Sequence, residues 1–148
     1  MLLKTRVQEP DGDPAQDSRP LWLLLCRGTS VVGHAGQNVT LSCKYDKSYG
    51  LLSACWSRGQ IPMSGCGQQL IATDGHAVKE ETRASSRYQL LGRLDEGDVS
   101  LTILSVTELD AGHYGCRVEI PGWFNDNKYH FNLSVLTGES FSDHHSQA

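Results

Sequence analysis

The stretch Asp110–Asp126, DAGHYGCRVEIPGWFND, decides how this chain folds. Its first half, Asp110 to Cys116, has the form D-x-G-x-Y-x-C. That spacing leads into a strand of a two-sheet β-sandwich, where Tyr114 closes a tyrosine corner and Cys116 supplies one end of the bridge between the sheets. The second half turns at Pro121 and Gly122, then carries Trp123 and Phe124, followed by the oxygen-bearing side chains of Asn125 and Asp126. Two large aromatics at a loop tip gain nothing from exposure unless something apolar receives them.

Upstream, from Val31 onward, short alternating runs separated by turn residues read as strands of an all-β sandwich. Val39, Leu41 and Cys43 alternate with polar neighbours, so strand B turns its odd positions inward. Strand C covers Leu51 to Trp56, with Trp56 at the place of the core tryptophan that packs on the disulfide. If Trp56 points inward, period-two alternation turns Cys55 outward. Cys43 and Cys116 are then the core bridge, and Cys66, across a turn holding Pro62 and Gly65, is the partner left for Cys55. Gln69–Ala72 reads as strand C′, Arg87–Leu91 as strand D and Asp98–Ile103 as strand E, with polar loop or weak edge from Lys79 to Ser86. Arg87 and Asp110 are spaced for an ion pair closing the base of the domain. Tyr129, Phe131, Leu133 and Val135 alternate as strand G. The expected fold is therefore all-β, a variable-type immunoglobulin sandwich of two antiparallel sheets in Greek-key order over residues 31–136.

Outside those bounds the composition changes. Residues 1–30 contain Pro20-Leu-Trp-Leu-Leu-Leu-Cys26, which reads as the end of a secretory signal or as part of a disordered N-terminal tail. Residues 137–148 are polar and read as a tail or the start of a stalk. Five cysteines in 148 residues point to an oxidising compartment, and the odd one is Cys26. The net charge of −4 argues against nucleic acid and against a polybasic attachment to anionic lipid. No apolar run approaches the roughly 18 residues of a membrane span. An enzyme is disfavoured, because there is no nucleophile elbow, no Ser/His/Asp or Cys/His arrangement and no zinc spacing.

The motifs Leu41-Ser-Cys43, Ala54-Cys-Trp56, Ser64-Gly-Cys66, Gly97-Asp-Val-Ser-Leu-Thr-Ile103 and Arg117-Val-Glu-Ile-Pro-Gly-Trp-Phe-Asn-Asp126 resemble the variable-type domain of the T-cell immunoglobulin and mucin-domain receptors. The resemblance implies a cell-surface or secreted receptor domain that binds phosphatidylserine on dying cells and some enveloped particles, with calcium as cofactor. The implied cleft lies between the FG loop and a folded-over CC′ loop. Metal ligands would be the side chains of Asn125 and Asp126 and main-chain carbonyls around Ile120 and Gly122. Trp123 and Phe124 match the membrane-inserting tip, and Arg117, Ser64 and Gly65 match positions lining the headgroup pocket. The family pattern has six cysteines in this domain. The two absent here fall at Ile61 and Gly115, positions bonded to each other in the family, which leaves the rigidity of the turn at 57–66 open.

Chemistry alone points the same way. Calcium takes six to eight oxygen ligands, and Asn125-Asp126 with a Pro-Gly turn can supply several. One carboxylate makes a weak site that a lipid phosphate or carboxylate would complete. Asp126 would repel an anionic headgroup unless a cation lay between them. The alternative reading is a co-inhibitory or adhesive domain that binds protein ligands through its GFCC′ face. Asn38 and Asn132 head glycosylation sequons and alternate outward.

Overall fold

The computed structural model describes residues 28–122 and 126–138. The expectations for Cys26, for the two chain ends, and for Trp123, Phe124 and Asn125 lie outside the described residues. Eight strands are present among them: β1 (Thr29–His34), β2 (Val39–Leu41), β3 (Ala54–Arg58), β4 (Gln68–Thr73), β5 (Tyr88–Gln89), β6 (Leu101–Ile103), β7 (Gly112–Val118) and β8 (Asn127–Leu136). They form a five-stranded sheet in the order β1-β8-β7-β3-β4 and a three-stranded sheet in the order β2-β6-β5. This is the variable-type sandwich expected, with β3, β4, β7 and β8 in the places of strands C, C′, F and G.

One pairing departs from a purely antiparallel arrangement. The edge strand β1 runs parallel to β8, from Thr29 opposite Phe131 to His34 opposite Leu136. The two strands come from opposite ends of the domain, so no hairpin constrains their direction. The remaining ladders are antiparallel. Strand D is shorter than its sequence suggests, because only Tyr88 and Gln89 pair with β6.

Alternation fills the space between the sheets. Leu41, Val99, Leu101, Ile103, Val106, Tyr114, Cys116 and Val118 are all fully buried there. Trp56 lies opposite Cys116 in the ladder, packs its ring 5.3 Å from Phe131, and donates its indole N–H to the Val99 carbonyl at 2.7 Å. Cys43 is bonded to Cys116 and Cys55 to Cys66. With the partners 73 and 11 positions apart in sequence, chain-entropy bookkeeping assigns about 4–5 and about 3 kcal/mol.

The entry to β7 is fixed by buried polar contacts. Tyr114 donates its hydroxyl to the Asp110 carbonyl at 2.5 Å, and burial pushes its phenol up to about 12. Arg58 stacks over the Tyr114 ring and donates to the carbonyls of Leu109 and Ala111. Asp110 closes a capping box with Thr107 and pairs with the Arg87 guanidinium, as the spacing predicts.

Burial opposes the charge on Asp110 most strongly. The hydrogen bonds from Arg87 and the Thr107 amide, with the Arg87 charge, outweigh it and hold the carboxyl below its ordinary 3.8. A depressed carboxylate stabilises the fold above its ordinary value, and that contribution fades as pH falls through the lower folded value. Asp110→Asn should therefore destabilise the domain by about 2–4 kcal/mol at neutral pH, the cost of leaving Arg87 partly buried without its partner. In urea unfolding the gap from wild type should narrow as pH drops below the carboxylate range. A gap independent of pH would contradict the assignment.

Candidate functional site

The site begins where the chain leaves β3. Arg58 lies opposite Tyr114, near the start of β7, so the CC′ connection starts low on the sheet. It then doubles back over the outer face toward the end of β7. Ile61 is buried against that face, Pro62 to Gly65 are exposed, and Cys66 is buried again before β4 begins at Gln68. Gly65 has φ +70°, a backbone conformation that an L side chain rarely adopts, which suits the tight return.

Two features seat this loop. Cys55, Ile61, Cys66 and Ala72 form a small apolar cluster, separate from the main core and on the other side of the sheet. Ile61 occupies the space beside Gly115: a Cβ added to Gly115 would sit 2.6 Å from the Ile61 Cγ1. An isoleucine thus fills the gap left by a glycine where the resemblance places a bridge. The second feature is Arg117. It lies opposite Cys55 in the β3–β7 ladder, on the outward face, yet only 3% of it is exposed. Its Nε donates to the Gly65 carbonyl at 2.6 Å, its Nη2 to the Pro62 carbonyl, and its Nη1 to the Asp126 Oδ2 at 2.8 Å.

A buried guanidinium is costly unless its donors find acceptors, and an ionic acceptor offsets most. Two different segments supply three acceptors here: two carbonyls from the CC′ loop and one carboxylate from the chain leading into β8. Arg117 therefore fixes the loop and Asp126 to one point. The resemblance had suggested a side chain lining an open pocket. The structure places it beneath the CC′ loop, with its donors on Pro62, Gly65 and Asp126.

Asp126 keeps 30% of its side chain exposed while Oδ2 is held. Ile120 is half-buried against the core, and Gly122 is exposed with φ +114°. Ser64 and Gly65 form the exposed CC′ side. Asp126 offers a carboxylate here and the turn offers main-chain carbonyls, a hard set suited to calcium rather than to a thiolate- or imidazole-preferring metal. Among the described residues no three His, Cys, Asp or Glu cluster as a metal site. A cation here would rely on Asp126, Asn125 and carbonyls, with the ligand completing its shell. Sequence reasoning singles out Asp126 and Arg117 but gives no sign of the bond between them. Opposite charges nine positions apart across a loop gave no signal of contact.

The immunoglobulin V-set domain model matches residues 28–136. The hepatitis A virus cellular receptor 1 homolog of Mus musculus is 53% identical over 105 residues, covering 71% of this chain and 34% of that protein. The T-cell immunoglobulin and mucin domain-containing protein 4 of Homo sapiens is 47% identical over 118 residues, 77% of this chain and 31% of that protein. The chain spans about a third of the length of these curated relatives. Among solved structures, Tim-1 superposes with a TM-score of 0.72 at 50% identity, covering 75% of this chain and 94% of that one. Tim-4 in complex with phosphatidylserine superposes with a TM-score of 0.69 at 42% identity, covering 74% and 99%.

Gly115→Ala should force Ile61 out of its seat and cost about 1–3 kcal/mol. In an Ile61→Ala background the same change should cost less, because the obstructing side chain is gone. Urea melts of the four proteins would show it, and additive costs would contradict the packing described. Separately, Arg117→Lys cannot reach three acceptors with one ammonium. Amide exchange across residues 63–66 should accelerate while the β6 and β7 amides stay protected. Unchanged exchange in the loop would mean that Arg117 does not hold it.

Proposed function

The chain belongs to the immunoglobulin V-set family, in its T-cell immunoglobulin and mucin branch, and from that premise we propose a calcium-dependent phosphatidylserine-binding ectodomain of a cell-surface immune receptor. It would recognise apoptotic cells or other anionic lipid surfaces. The domain is a recognition module, not an enzyme. One observation carries the proposal: Arg117 binds the carbonyls of Pro62 and Gly65 and the Asp126 carboxylate at the same time. A cleft wall and a prospective metal ligand are thereby held side by side before any ligand arrives. Pre-organisation of this kind lowers the ordering cost of binding. The complex of Tim-4 with phosphatidylserine, a relative of this fold, supports the choice of lipid.

Asp126, Asn125 and the carbonyls of Ile120 and Gly122 would hold the ion. Calcium, when bound, supplies positive charge between the Asp126 carboxylate and an anionic headgroup. The chain's own residues do the rest. Arg117 orients Asp126 and braces the loop, so it is a positioning residue. Ser64 and Gly65 form the facing wall, with a hydroxyl and a main-chain amide able to donate to phosphate or carboxylate oxygens. Trp123 and Phe124 suit the membrane interface, where a ring tolerates one apolar and one wet side. The net charge of −4 gives no long-range attraction to an anionic bilayer, so the contact must be local.

Sedimentation with phosphatidylserine or phosphatidylcholine vesicles, in calcium or in chelator, tests the reading. Wild type should be captured only by phosphatidylserine with calcium. Asp126→Ala should abolish capture and Asn125→Ala weaken it less, because a neutral ligand is lost and water can replace it. Trp123→Ala with Phe124→Ala should still bind soluble phosphoserine but lose bilayer affinity by about a hundredfold or more. Equal capture of the wild type in chelator, or an Asp126→Ala variant that binds like wild type, would sink the metal-bridged mechanism and favour protein binding through the outer sheet face.

A further inference from the structure

We propose that the CC′ loop is a second membrane anchor, with Met63 entering the interfacial layer of the bilayer beside the headgroup cleft. The inference rests on the lipid-binding reading above and extends it to a residue that reading does not use. Met63 is 91% exposed, more than any other large apolar side chain among the described residues. A lone exposed apolar residue is ordinary, but this one stands at a particular place on a particular loop. Pro62, Ser64 and Gly65 beside it are exposed too, and no charged residue occurs between Arg58 and Asp74. The loop surface therefore offers no charge that must stay in bulk water.

The loop is also held rigid just beneath its tip. Ile61 is buried before it, Cys66 is bonded to Cys55 after it, and Arg117 holds the carbonyls of Pro62 and Gly65 on either side of Met63. The methionine is thus displayed at small ordering cost. Because the same guanidinium binds Asp126, Met63 stands at the end of the molecule where the lipid headgroup would sit. Leu109, the next most exposed apolar side chain, lies before β7 begins, at the opposite end of that strand. An unbranched thioether chain adapts to a disordered apolar layer, and the loop supplies no like charge to oppose an anionic surface.

The test compares wild type, Met63→Ser and Met63→Leu in calcium. Each is titrated against phosphatidylserine vesicles and, separately, against soluble phosphoserine. Met63→Ser should lose about tenfold in vesicle affinity, the share of a partly buried methionine chain. Its phosphoserine affinity should stay unchanged, and Met63→Leu should match wild type in both. Vesicle binding of Met63→Ser equal to wild type would overturn the anchor while leaving the calcium-bridged cleft intact. An equal loss for phosphoserine and vesicles would also overturn it, since Met63 would then act on the cleft and not on the bilayer. Failure of the wild type to bind phosphatidylserine vesicles at all would overturn both the anchor and the lipid-binding reading.

Discussion

The buried guanidinium of Arg117 is the contact on which the CC′ end of this molecule depends. Its position on β7 is set by the sheet, but its three acceptors come from chain that the sheet does not organise. The CC′ connection needs something to hold it against the outer face, since a loop that doubles back buries little apolar area. Ile61 and the Cys55–Cys66 bridge provide part of that hold. The charge supplies direction, because a planar fork accepts only a narrow set of acceptor positions. Removing one acceptor would leave a buried positive charge short of partners, so loop and Asp126 stand or fall together.

Strand β7 carries the order of the whole domain from one end to the other. At its start Tyr114, Asp110, Arg87 and Arg58 tie the strand to the turn before it. At its middle Cys116 and Trp56 join the two sheets through the core. At its end Arg117 reaches outward to the loop. Side chains one residue apart thus serve opposite faces: Cys116 holds the sandwich together, and Arg117 holds the CC′ loop and Asp126. That division follows from the two-residue period of a strand. It lets the site vary in detail without disturbing the core, as Ile61 and Gly115 illustrate. Their mutual fit seats the loop by packing where the resemblance places a bridge, and the disulfide of the core is separate from it.

The sandwich was largely legible in the sequence, since alternation marks which face of a strand is apolar. Parity correctly kept Cys55 out of the core and left Cys66 as its partner. The same parity was silent on what covers the outer face. Cys55 and Arg117 both turn outward, yet both are buried, because chain from a different part of the sequence returns over them. The parallel pairing of β1 with β8 was equally illegible, since it joins segments a hundred positions apart with no turn between them. No motif or periodicity marks Met63, although the run between Arg58 and Asp74 is visibly uncharged. Composition shows that a loop can meet an apolar surface. Only the fold places Met63 between two carbonyls held by the guanidinium that also holds Asp126.

The central claim is that calcium and an anionic headgroup share one site, each improving the other's hold. Binding linkage makes this measurable without a membrane. Calorimetric titration of calcium into the domain, with and without soluble phosphoserine, should show tighter calcium binding when the headgroup is present. The reverse titration should show phosphoserine gaining affinity by the same factor when calcium is present. Calcium affinity that does not change with phosphoserine would mean that the two do not meet at Asp126, and would contradict the account.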